Sequence, residues 1–364
     1  MIVMRWAGWT VAAPVLAVLA LVMTWGRGLS AVVVALVGVL LAAAVLAAVH
    51  HAEVVAHRVG EPFGSLVLAV AVTVIEVALI ISLMVSGGKG SATLARDTVF
   101  AAVMITCNGI VGLSLLVATA KRHIAVFNAE GSGAALATLA TLATLSLVLP
   151  RFTTTTPGPD FSTAQLTFAA VSSLALYGLL VLTQTVRHRD YFLPIAPDGG
   201  TLEEEDMHSA KPSSKATLIS LGLLLIALIA VVGLAKVESP VIEKSIVSAG
   251  LPYAAVGVVI ALLVLLPETL AAVRAAQRHR MQTSLNLALG SAMASIGLTI
   301  PAIAVASIWL SGPLNLGLNN THLVLLALTV AVSTLTIVPG RATLLQSGVH
   351  LAIFGAFITL AVSP

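Results

Sequence analysis

The sequence predicts an all-α polytopic membrane protein of about 11 transmembrane helices, one extra N-terminal helix followed by two inverted five-helix repeats. Three observations predict it. Of the 364 residues, 59% are hydrophobic and 9% are charged, against about 25% charged in an ordinary soluble domain. Apolar stretches of roughly 20 residues recur along the length, each able to cross a hydrocarbon core of about 30 Å. The longest polar stretch, 187–216, divides the ten spans after the first into five and five. Five is odd, so the second block enters the membrane in the opposite sense from the first, which is the geometry of inverted-repeat transporters.

Charges, Pro/Gly clusters and polar runs bound the expected helices at 10–25, 30–49, 64–85, 98–119, 133–149, 164–185, 217–235, 248–273, 284–310, 322–338 and 343–362. Residues 1–29 carry the extra helix, 30–186 the first repeat, 187–216 a cytoplasmic loop and 217–364 the second repeat. Arg27 follows the first apolar run with no small-residue cleavage site, so that run reads as a retained span rather than a signal peptide. Trp6, Trp9, Trp25 and Trp309 lie at span ends, where amphipathic rings sit among headgroups. The 18 Lys and Arg residues divide twelve to six in favour of the N-terminal side, which places the N-terminus in the cytoplasm and Pro364 outside. The net charge of +3 is scattered between apolar runs, which argues against nucleic acid as a partner. A single cysteine, Cys107, excludes an intrachain disulfide and a cysteine-based metal centre.

Ionisable side chains inside spans cost from about 2.5 kcal/mol upward at the helix centre, so each needs a reason. Glu76 sits in Ala-Val-Thr-Val-Ile-Glu-Val-Ala-Leu-Ile near the middle of the third span, and Glu268 in Leu-Leu-Pro-Glu-Thr-Leu in the eighth. Each occupies the second helix of its five-helix block. Pro267 removes a backbone donor and frees a carbonyl one turn back, as in the broken helices of ion sites. Two carboxylates meeting at the midplane would suit a cation, and a hard divalent ion would add neutral oxygens. The candidates for those oxygens are Thr73, one turn before Glu76, Asn108, Ser291 and Ser295.

Each of these residues has a plainer reading. A buried amide at Asn108, in Thr-Cys-Asn-Gly-Ile-Val-Gly, needs a partner, either the ion or a helix packed against Gly109 and Gly112. Glu268 could pair with Arg274 and simply hold helices together. Lone hydroxyls bond readily to their own helix, and Thr138, Thr141 and Thr144 read as packing. His50, Glu53 and His57 share a helical face that fits a metal or pH sensor, or an interfacial amphipathic turn. The run Glu203-Glu204-Glu205-Asp206 is either a calcium-sensing element or a solvated loop.

At these residues the sequence resembles the CAX-type branch of the calcium/cation antiporter superfamily, above all the bacterial ChaA-type cation/proton antiporters. The resemblance covers nearly the whole chain. It is most specific from Gly60-Glu61-Pro62-Phe63-Gly64 to Glu76, and from Pro267-Glu268 through Ser284-Leu285-Asn286-Leu287-Ala288-Leu289-Gly290-Ser291-Ala292 to Pro301. It implies that these stretches are the two α-repeats and that Glu76 and Glu268 bind the ion. The family's Gly-Asn before each Glu is replaced by Val72 and Thr73, and by Val264 and Leu265, so fewer amide oxygens would line the site.

The resemblance implies a secondary transporter in a bacterial inner membrane, exchanging Ca²⁺, and also Na⁺ or K⁺, for H⁺, with no cofactor beyond the transported ions. A proton-independent Na⁺/Ca²⁺-type exchanger is the alternative within transport. An intramembrane enzyme would need a nucleophile–base pair or a metal cluster near the glutamates, and the sequence offers none.

Overall fold

The structure is a computed structural model in which residues 3–59, 63–86, 91–194, 212–248, 250, 252, 254–309 and 314–363 are described. In chain order the elements begin with α1 (Val3–Thr24), α2 (Ala31–Val59), α3 (Phe63–Ser86) and α4 (Ser91–Met104). A π-helical turn, Ile105–Ile110, leads into α5 (Val111–Arg122), then β1 (Ile124–Val126), α6 (Ala129–Ala143) and α7 (Thr163–Leu182). After the long loop come α8 (Ser214–Ser248), α9 (Ala254–Gln277), α10 (Met281–Ala306), α11 (Asn320–Ile337), β2 (Arg341–Thr343) and α12 (Leu344–Val362). Every expected span meets a helix. Among the described residues, 8 helices are long and apolar enough to cross a membrane, or 9 with the bent α9 counted as one span.

Several boundaries differ from expectation: α1 starts at Val3 instead of 10, α2 runs on to Val59 instead of ending at 49, and α4 starts at Ser91 instead of 98. α8 runs for 35 residues through Pro240 to Ser248, instead of ending at 235, and α9 starts at Ala254 instead of 248. Lys236, Glu238 and Lys244 read as loop in the sequence, yet past the hydrocarbon core a helix can continue with charges such as the exposed Lys236 and Lys244 among headgroups, while Glu238 is covered by protein. The acidic run Glu203-Glu204-Glu205-Asp206 lies outside the described residues.

The chain forms two compact units, neither of which is a sequence half. Unit one comprises Met1–Ser91 and Ser209–Val256; unit two comprises Ala92–His208 and Gly257–Pro364. In unit one, α8 packs against α1, α2 and α3, and α2 also contacts α1 and α3. Ala227, Ala230, Val231 and Leu234 form the buried face of α8, and Gly233 leaves room for Leu21 of α1. His51 is buried here, its Nδ1 3.3 Å from Ser220 Oγ and its Nε2 3.0 Å from the Thr10 carbonyl, so one imidazole ties three helices. His50 and His57 are exposed, and no group of three metal-ligating side chains occurs among the described residues.

In unit two, α10 packs against α5, α6, α7 and the π turn, while α12 packs against α5 and α11. Gly297 lets α10 approach Tyr177, and Gly257 lets α9 approach Asp97 and Thr98 of α4. β1 and β2 pair antiparallel, Ile124 opposite Thr343. Gln282 accepts from Asn128 N at 2.7 Å and donates to Asn286 Oδ1 at 2.8 Å, and Asn286 donates to the Phe192 carbonyl at 2.7 Å. At the other face Arg96 donates to the Gly317 carbonyl at 3.2 Å and Asn315 N to the Ala92 carbonyl at 2.9 Å. Each of these ties joins loops that alternation of the expected spans places on one side of the membrane. Thr138 and Thr141 bond back to their own helix at 2.9 Å each, while Thr141 and Thr144 are exposed rather than packed between helices.

Candidate functional site

α3 has a buried side and an exposed side. Ala71, Thr73, Ile75, Glu76, Leu79 and Ile80 are buried, whereas Val70 and Val74 are 39% and 45% exposed. An apolar surface of that kind suits lipid. Glu76, 3% exposed, therefore points into the protein, and Thr73 lies one turn before it on the same side.

In unit two, α9 bends by 49° between Ala255–Leu266 and Glu268–Gln277, with Pro267 at the break. Proline supplies no N–H to the carbonyl one turn back, so a bend at this position follows from the sequence. Glu268 opens the second segment and is 5% exposed, flanked on its helix by buried Val264, Leu265 and Ala272. Arg274 is exposed. Thr269 bonds back to the Leu265 carbonyl at 2.7 Å.

Asn108 sits in the π turn and is fully buried. Its Nδ2 donates to Thr329 Oγ1 at 2.9 Å, and its Oδ1 lies 3.2 Å from His350 Nδ1. His350 Nε2 is 3.1 Å from Thr336 Oγ1, and Ser347 donates to the Gly112 carbonyl at 2.9 Å. The amide thus has protein partners on α11 and α12, and Gly109 and Gly112 allow the approach: Cβ atoms there would lie 3.4 Å from Phe354 and 3.0 Å from Leu351. Wide π turns recur at functional sites because they re-aim side chains that a regular helix would bury elsewhere.

Ser295 is buried and Ser291 half-buried on α10, which packs against that π turn. With Ser284 and Thr299, at spacings of seven, four and four residues, they form a polar stripe along one side of the helix. Ser284 and Thr299 hydroxyls have no hydrogen-bond partner among the described residues. Sequence reasoning missed His350, Thr329 and Thr336. The signal for His350 was present, since it is an ionisable residue alone in Gly-Val-His-Leu-Ala-Ile inside the last span. The structure places Glu76 and Thr73 in unit one, and Glu268, Asn108, Ser291 and Ser295 in unit two.

Long apolar helices carrying buried carboxyl, amide and hydroxyl groups define a multi-pass membrane protein with a polar interior. The profile of the sodium/calcium exchanger protein family matches residues 29–186 and 219–363. The chain belongs to that family, within the calcium/cation antiporter superfamily, and is thereby a cation exchanger. It is 47% identical over 329 residues to the provisionally named ionic transporter y4hA of Sinorhizobium fredii (strain NBRC 101917 / NGR234), covering 89% of this chain and 87% of the relative. It is 35% identical over 351 residues to the sodium-potassium/proton antiporter ChaA of Escherichia coli (strain K12), covering 95% and 93%. The crystal structure of an H⁺/Ca²⁺ exchanger, CAX, shares the fold with a TM-score of 0.71 at 15% identity, over 98% of this chain and 87% of that one.

Proposed function

We propose that the chain is a cation/proton antiporter that moves Ca²⁺, and also Na⁺ or K⁺, against H⁺ by alternating access, with Glu76 and Glu268 as the ion-binding carboxylates. The observation that carries the reading is the burial of both: 3% and 5% exposed, each in the second helix of its expected repeat. A buried carboxylate needs its charge neutralised. A proton and a cation each do this and exclude one another, and competition for one site that opens alternately to the two sides yields exchange. Thr73, Asn108, Ser291 and Ser295 would contribute neutral oxygens or fix their position. The name of the 35%-identical relative, a sodium-potassium/proton antiporter, supports proton coupling.

In this reading residues 30–186 and 217–364 are the two inverted repeats, the N-terminus is cytoplasmic and the membrane is the bacterial plasma membrane. The test is exchange in inverted vesicles with an imposed acidic interior, adding Ca²⁺, Na⁺ or K⁺ outside and following the pH gradient with a dye. Wild type collapses the gradient; Glu76→Gln and Glu268→Gln insert normally and do not. Calcium-driven proton movement surviving in either variant would sink the two-carboxylate site, and calcium flux that needs sodium but moves no protons would assign the protein to Na⁺/Ca²⁺ exchange.

A further inference from the structure

Glu238, on α8 of unit one, is buried in the spanning helices as Glu76, Asp97 and Glu268 are, but Asp97 is paired with Arg96, whereas the mechanism above gives Glu238 no task. It is 4% exposed, and its Oε1 has no hydrogen-bond partner among the described residues. A carboxylate kept in such a place is costly unless a mobile species balances its charge. Two facts fix its depth. Arg58, at the end of α2, donates to Ser214 at the start of α8 at 3.1 Å, and α3 starts at Phe63 shortly after Arg58, so α3 and α8 begin at one level. With a rise of about 1.5 Å per residue, Glu76 lies about 20 Å along α3, Ser82 about 29 Å along α3, and Glu238 about 36 Å along α8. At that end Lys236 lies 5.2 Å over the ring of Trp25, which follows α1 at the face opposite the N-terminus. Glu238 is therefore at the far interface, yet covered by protein, and Ser82 stands between it and Glu76 in depth. The Ser82 hydroxyl is itself buried with no partner among the described residues, free to accept a proton and donate one.

The surroundings select a proton over a metal ion. Lys236 is two residues away and Arg27 follows α1 at the same level, so a cation would meet positive charge. One carboxylate and the Lys236 carbonyl freed by Pro240 fall far short of the about six to eight oxygens that Ca²⁺ takes. Among the described side chains of α1, α2, α3 and α8, the other charged groups stand elsewhere: His50, His51, Glu53, His57, Arg58 and Lys215 toward the opposite face, Glu76 mid-helix, and Lys244 exposed further along α8.

We propose that Glu238 is a proton-carrying residue of the exchange cycle, taking up a proton at the face opposite the N-terminus and passing it by way of Ser82 toward Glu76 without binding the cation. The carboxyl alternates between its acid and its anion, and the proton is the only species transferred. The proposal rests on the proton coupling proposed above. The test compares two assays on the full-length protein in vesicles: Ca²⁺/Ca²⁺ self-exchange at equal pH, which moves no net protons, and Ca²⁺/H⁺ exchange. Glu238→Gln is expected to slow the proton-coupled rate about tenfold or more while self-exchange stays near wild type, and Glu238→Asp restores the coupled rate. Equal loss in both assays, or an unchanged coupled rate, overturns the proposal. Should Glu238→Gln fail to insert, the dependence of Glu238→Asp on pH at the far side decides: a displaced profile supports the relay, and a profile identical to wild type overturns it. Wild type that performs self-exchange but moves no protons defeats the parent reading, an outcome visible before any variant is made.

Discussion

His350 Nδ1 stands 3.2 Å from Asn108 Oδ1, with both side chains fully buried in unit two. Because Asn108 Nδ2 donates to Thr329, its oxygen must face the ring, so Nδ1 carries the proton and Nε2 accepts from Thr336. One imidazole thereby sets an amide orientation and its own tautomer together. His350→Ala strands Asn108 Oδ1 and Thr336 Oγ1, at about 1–3 kcal/mol for each buried group. The thermal midpoint in detergent is expected to fall well below wild type, with His350→Gln between the two; an unchanged midpoint for the alanine variant would refute the network's role.

Two glycines in unit two should respond with opposite sign. A Cβ on Gly112 would lie 3.0 Å from Leu351 Cγ and 3.1 Å from His350 Cβ, so Gly112→Ala pushes α12 away, at about 1–3 kcal/mol. Gly348 has nothing within 4 Å, so Gly348→Ala should gain about 0.5–1 kcal/mol from helix propensity. Midpoints measured side by side check the pair, and similar shifts for both would contradict the packing described.

Arg96 and Asp97 form an ion pair at 2.8 Å with side chains 13% and 4% exposed, and Thr93 donates to Asp97 at 2.9 Å. Removing one partner leaves a buried charge, which costs about 3–5 kcal/mol. Asp97→Ala is therefore expected to be less stable than the double variant Arg96→Leu with Asp97→Leu. The order of their midpoints is the measurement, and a double variant below the single one would reverse the argument.

Cys107 is buried and is the sole cysteine, so wild type should resist a membrane-impermeant maleimide. Ile124→Cys and Phe152→Cys put thiols at positions 46% and 66% exposed. Under the proposed orientation the first labels only from the cytoplasmic side and the second only from outside. The reverse pattern would invert the orientation, and labelling of both from one side would break the alternation of spans.

Much of this molecule is written in hydropathy. Runs such as Val32 to Val49 must be helical because a chain in lipid has to satisfy its own backbone, and Glu76 and Glu268 announce themselves as acids in apolar runs. What hydropathy does not encode is which helices touch. The grouping of α8 with α1, α2 and α3 depends on side-chain fit such as Gly233 against Leu21, which carries no periodic signal. The end of α8 was misplaced because Lys236 and Pro240 look like a loop wherever the lipid boundary is unknown. Asn108 was found but its partners were not: Thr329 and Thr336 are ordinary hydroxyls in sequence, and only the pairing with His350 gives them a task.

Unit two is clamped at both of its rims. At one, β1 is zipped to β2 and Gln282 grips the start of α6; at the other, Arg96 and Ala92 hold the segment before α11. A bundle stapled top and bottom cannot splay from either end as a flower opens. Displacement of these helices in the exchange cycle is therefore expected to carry the two tied rims along together, rather than spread one of them open.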